Sequence, residues 1–153
     1  MAKRPRVGRG SNSVQLRRYN ERIVLQVLRR VDVASKADLA RLAHLTNAAI
    51  GGIIQELEAE GLIETLGKRH DGGRGQPATM LRLNACGAFG FGVRLDRTSI
   101  ETVLVDFSNR VIGRRAHDMI LPSPEKACEL IARDVTSLLE LLDENQRSRV
   151  TGV

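Results

Sequence analysis

Two helix-start signals eleven residues apart, Ser35 and Thr46, constrain this chain more than any other feature. In "SKADLARLAHLTNAAIGGIIQELEAEG" Ser35 can cap the free amides of a helix, and Asp38 can reach back as a short capping-box acid. Leu39, Leu42 and Ala43 give that helix an inner face. After a break at His44 and Leu45, Thr46 offers the second cap, Ile50, Ile53, Ile54 and Leu57 mark the next helix, and Gly61 ends it. Upstream, Leu16, Tyr19, Ile23, Val27 and Val31 recur at three- and four-residue intervals, so residues 14–31 read as a longer helix in front. Three helices with so tight a turn between the last two make the tri-helical helix-turn-helix pattern, whose last helix enters the DNA major groove. Spacing alone also fits a small helical bundle with no ligand.

The segment after Gly61 favours the DNA reading. "LIETLG" alternates briefly as a strand, "HDGGRGQP" is a basic, glycine-rich loop, and "ATMLRLN" alternates again, with Met80 and Arg82 opposite Thr79, Leu81 and Leu83. This is a two-stranded wing. Its glycines let the tip approach a phosphate backbone, Arg74 can enter a narrow minor groove, and Pro77 stiffens the return strand. A merely solvated hairpin tip is the plainer alternative. Further on, residues 89–95, 100–106 and 110–118 read as three strands joined by turns at Asp96-Arg97 and Ser108-Asn109, an antiparallel meander. Ser123 and Pro124 then start a helix in which Ile131, Val135, Leu138 and Leu142 share a face, and "RVTGV" looks like the beginning of another strand.

Charge points the same way. The formal net charge is +6 over 153 residues, but residues 1–82 hold 15 basic and 8 acidic side chains whereas residues 83–153 hold 9 and 10. A cationic front half fits a polyanion, nucleic acid before membrane, because there is no 18-residue apolar run and no apolar segment after the basic N-terminus. A cytoplasmic protein is expected, with no membrane partner. The segment "MAKRPRVGRGSNS", residues 1–13, reads as a mobile basic arm. Cys86 and Cys128 lie far apart and read as reduced thiols; His44, His70 and His117 lack metal-like spacing with either and read as surface or turn histidines.

The sequence resembles the ROK group of repressors and sugar kinases, through "YNERIVLQVLRR", the two capped helices, "GGRGQPATMLRLN" and "GAFGFGVRLDRTSIETVLVDFSNRVI". The resemblance implies an α+β chain. A winged helix-turn-helix over residues 14–83 precedes, over residues 84–153, the partial start of an actin-like ATPase (ribonuclease H-like) subdomain of three antiparallel strands and a helix. The family's sugar-binding carboxylate-histidine and cysteine-rich zinc segments come later in its members, so the chain reads as truncated. No cofactor, metal or sugar effector is then expected for it as it stands, and Leu138, Leu142 and a sheet edge should lack cover. Family kinases place an acid and a glycine in the turn after the first actin-like strand. Here Arg94 stands where the acid is expected, Asp96 where the glycine is, and Thr98 alone survives, so no enzyme is expected.

The expected DNA contacts follow from the helix faces. With the isoleucines and Leu57 inward, the third helix exposes Ala48, Gly51, Gly52 and Gln55, with Thr46 and Asn47 at its start; Asn47 and Gln55 are long enough to read base edges. Family members usually carry a hydroxyl residue where Gly51 stands. Ser35 and Lys36, at the positive end of the second helix, face phosphate, while Lys68, Arg69 and Gln76 support Arg74 in the wing. The resulting expectation is a regulator, a repressor of carbohydrate-related genes, binding a two-fold operator in double-stranded DNA as a homodimer. A remnant that pairs with a full-length relative as an interaction module, and a fragment of a ROK sugar kinase, are the rival readings.

Overall fold

The computed structural model describes residues 10–69, 78–120 and 122–152. They fall into two units, Met1–Arg82 and Leu83–Val153. The first begins with helix α1, Gly10–Val31, followed by a three-residue strand β1, Val33–Ser35, and helix α2, Lys36–Ala43. Helix α3, Asn47–Ala59, and strands β2, Ile63–Arg69, and β3, Ala78–Leu83, complete it.

Both sequence-predicted caps are present. Ser35 Oγ accepts from the Asp38 amide at 3.2 Å while Asp38 receives the Ser35 amide at 3.3 Å, closing the capping box. Thr46 Oγ1 accepts from the Ala49 amide at 3.2 Å. Between the helices His44 adopts a left-handed conformation, φ 55°, and Gly61 does the same after α3, φ 73°. Ile50, Ile53, Ile54 and Leu57 are all buried.

Four expectations need correction in this unit. The first helix starts at Gly10, inside the segment read as an arm. Its core-facing residues are Val24 and Leu28, both fully buried, whereas Leu16, Tyr19 and Val31 are exposed and Ile23 and Val27 half-buried. Two apolar stripes run along this helix, and the sequence spacing picked the outer one. In α2, Ala40 is buried in place of Leu42, which is 40% exposed. Strands β2 and β3 also gain a third partner: the sheet order is β1-β3-β2, with β1 antiparallel to β3 and Ala34 opposite Leu81. Leu81 and Leu83 face inward and Arg82 outward, where its Nε meets Glu64 Oε1 at 2.6 Å.

The second unit opens with a single 3-10 turn, Ala85–Gly87, and a meander of β4, Phe89–Leu95, β5, Ser99–Asp106, and β6, Val111–Asp118. The strands pair antiparallel in the order β4-β5-β6, and the two turns are closed by the Asp96 amide donating to the Ser99 carbonyl and by Asn109 at φ 68°. Helix α4, Pro124–Leu139, is capped by Ser123 with proline in its first turn, and the short helix α5, Glu144–Arg147, comes next. Leu138 and Leu142 pack with Phe89, Phe91 and Leu104 in one buried cluster, so they do not lack cover. Val150 forms a parallel bridge to Phe89, and residues 149–152 exchange backbone hydrogen bonds of 3.0 Å with Phe89 and Phe91. The Phe89–Phe91 end of the β4 edge is therefore paired where an open edge was expected.

A polar layer also lies in this core. His117, read from the sequence as a surface or turn residue, places Nε2 2.8 Å from Oδ2 of Asp134, whose side chain is 4% exposed. Arg115 donates to Ser137 Oγ at 3.0 Å, and the Thr102 hydroxyl is buried without a hydrogen-bond partner among the described residues. Cys86 and Cys128 are exposed free thiols.

Candidate nucleic-acid interface

The sequence-predicted contact residues divide into three groups. Asn47 and Gln55 are exposed on α3, and Thr46 is exposed at its cap. At 3.6 residues per turn Asn47, Gly51 and Gln55 share one side of α3, away from the buried Ile50, Ile53, Ile54 and Leu57. Glu58 falls on the same side, and Thr65 Oγ1 holds its carboxylate at 2.7 Å. Its spacing of eleven from Asn47 was the available sequence signal for it.

Ser35 and Lys36 open α2 but differ in availability. Lys36 is exposed, while Ser35 is 8% exposed and its hydroxyl donates to Asp38 Oδ2 at 2.7 Å. A group so committed to its own helix leaves Lys36 as the exposed basic side chain at this end. The Ser35 hydroxyl, then Arg41, hold the Asp38 carboxyl below its ordinary value. Lys68 and Arg69 end β2, and Arg74 and Gln76 lie outside the described residues, as does His70.

The mounting of α3 is partly ionic. Arg17 of α1 contacts Glu56 of α3 and lies 3.7 Å from Glu21. Burial, followed by a hydrogen bond from Glu56 and its charge, raises the Glu21 carboxyl above its ordinary value. The middle of α3 is bare. Gly51 and Gly52 are half-buried neighbours, and two glycines weaken a helix by roughly 1 kcal/mol each against alanine.

No group of three or more His, Cys, Asp or Glu side chains among the described residues could hold a metal ion, and no helix there is long and apolar enough to cross a membrane. An open recess of about 310 Å³ on the second unit is lined by Gly92, Val93, Arg94, Glu101 and Val103. Its charges are mutually engaged: Glu101 meets Arg114 at 2.5 Å and Arg94 at 3.7 Å.

No family model matches the chain. Protein y4fQ of Sinorhizobium fredii is 27% identical over 134 residues, 88% of this chain and 34% of that protein. The DNA-binding transcriptional repressor Mlc of Escherichia coli is 27% identical over 107 residues, 70% of this chain and 26% of Mlc. The chain thus spans about a third or less of the length of these relatives. A solved structure of a ROK family transcriptional regulator, a homolog of Escherichia coli Mlc, matches with a TM-score of 0.61 at 22% identity, over 89% of this chain and 34% of that one. The chain is thus similar in sequence to the repressor Mlc and in fold to a solved ROK family transcriptional regulator.

Proposed function

We propose that the chain is a DNA-binding transcriptional regulator in which residues 14–83 act as a winged helix-turn-helix. The observation that carries this reading is α3: capped by Thr46, seated on four buried apolar residues, and exposing Asn47 and Gln55. Both side chains can donate and accept together, as pairing with adenine N6 and N7 in the major groove requires. Lys36 at the start of α2 meets phosphate, and the loop of residues 70–77 sets Arg74 into the minor groove with Lys68, Arg69 and Gln76 beside the backbone. The basic excess of residues 1–82 supplies the sequence-independent attraction.

The name of the Escherichia coli relative supports repression, and the family resemblance supports carbohydrate-related target genes. The protein works in the cytoplasm as a homodimer on a two-fold operator. It has no catalytic role, since an arginine paired to Glu101 occupies the position of the kinase acid.

Fluorescence anisotropy on duplex DNA tests the reading. Affinity should fall with salt by about −0.9 in log–log slope for each phosphate neutralised, and a slope near zero would sink the proposal. Arg74→Ala should lose binding mainly on an A·T-flanked site, whereas Gln55→Ala should cost about 1–3 kcal/mol on A·T- and G·C-flanked sites alike. Parent-like binding by Arg74→Ala on both sites would reduce the glycine-rich loop to a solvated turn.

A further inference from the structure

Helix α3 contains two adjacent glycines that nothing among the described residues requires. A Cβ built on Gly51 or on Gly52 would meet no atom within 4 Å. Neither has the positive φ seen at Gly61 and Gly67. The two internal reasons for keeping a glycine, a crowded neighbour and a left-handed backbone, are therefore both missing, while the weakening of a thirteen-residue helix remains. One physical use of glycine is left, which is to let the backbone itself come close to a ligand. The pair lies between Asn47 and Gln55, the two side chains of α3 suited to reading bases.

We propose that Gly51 and Gly52 form a bare-backbone contact with the floor of the DNA major groove, and so help to set sequence specificity. Without a side chain there, the helix axis sits nearer the base edges, within the reach of Asn47 and Gln55. The apolar Cα surface suits the C5-methyl group of thymine, the one apolar feature in the major-groove pattern. This inference rests on the DNA-binding reading and adds to it the surface that the backbone meets. A serine at position 51 separates this role from a simple phosphate contact. A serine there would hold the helix away and weaken binding, whereas a serine that merely restored a missing phosphate contact would strengthen it.

The test uses the full chain and a library of randomised duplexes. The duplex it enriches, and a scrambled version, are compared by anisotropy for the parent, Gly51→Ala, Gly52→Ala and Gly51→Ser, with a thermal melt of each protein. Both alanine variants should melt at higher temperature yet bind the enriched duplex about tenfold more weakly, with a smaller loss on the scrambled duplex. Gly51→Ser should also bind more weakly. Equal or tighter binding by either alanine variant, or tighter binding by the serine variant, overturns the proposal. A lowered melting temperature in the alanine variants overturns it too, because the glycines would then serve the fold. If the parent enriches no duplex and shows no salt-dependent binding to sheared duplex DNA, the DNA-binding reading falls first and takes this inference with it.

Discussion

Asp38 and Glu21 are both carboxylates in the first unit, and their surroundings push them in opposite directions. Asp38 is held below its ordinary value of 3.8 by the Ser35 hydroxyl and Arg41, so its charged form stabilises the fold above that pH and the contribution is lost as pH falls through the depressed value. Glu21 is raised above 4.5 by burial and by Glu56, so its contribution is present below 4.5 and is lost as pH rises through the raised value. Asp38→Asn should therefore cost about 1 kcal/mol at pH 7, a difference that closes below the ordinary Asp range. Glu21→Gln should stabilise at pH 7, with the gain vanishing toward pH 4. Urea melts from pH 3 to pH 7 check both signs, and parallel pH profiles for the two variants would contradict the assignment. At the same scale, the exposure of Asn47 and Gln55 was legible in the sequence, because helix periodicity sorts faces. The internal engagement of Ser35 was half legible: the capping box was foreseen, but not that closing it would withdraw the hydroxyl from any phosphate.

Elements were legible where one local rule decided them. The meander β4-β5-β6 and the start of α4 follow from alternation, turn residues and Ser-Pro, all short-range signals. Strand β1 was invisible because three residues carry no period, and its partner β3 lies more than forty residues away in sequence. The inner face of α1 was misread because Ile23, Val24, Val27 and Leu28 offer two apolar stripes, and only packing chooses between them. Packing also gives β6 a role for a missing side chain. A Cβ on Gly113 would lie 2.6 Å from Leu141 Cδ1 and 2.7 Å from Leu138 Cδ2. Leu141 is half-exposed and can turn aside, but Leu138 is fully buried. Gly113→Ala should accordingly destabilise the second unit by about 1–3 kcal/mol. An unchanged melt would show that α4 yields more easily than its core position implies.

Taken whole, the chain separates its charge between its units: residues 1–82 carry the basic excess and residues 83–153 are nearly balanced, with 9 basic and 10 acidic side chains. The balanced unit has two sheet margins of unlike kind. Residues 149–152 pair with β4 on one side, while β6 is the outer strand on the other, bearing the exposed Arg114. A charged side chain on an edge strand opposes strand addition. Arg114→Thr should therefore shorten the lag before thioflavin-positive aggregation, and an unchanged lag would remove that protective role. The open β6 margin reaches further than the fold of one molecule. Any fibre seeded there would add strands to β6, and a ligand capping that edge would need to fit a single strand.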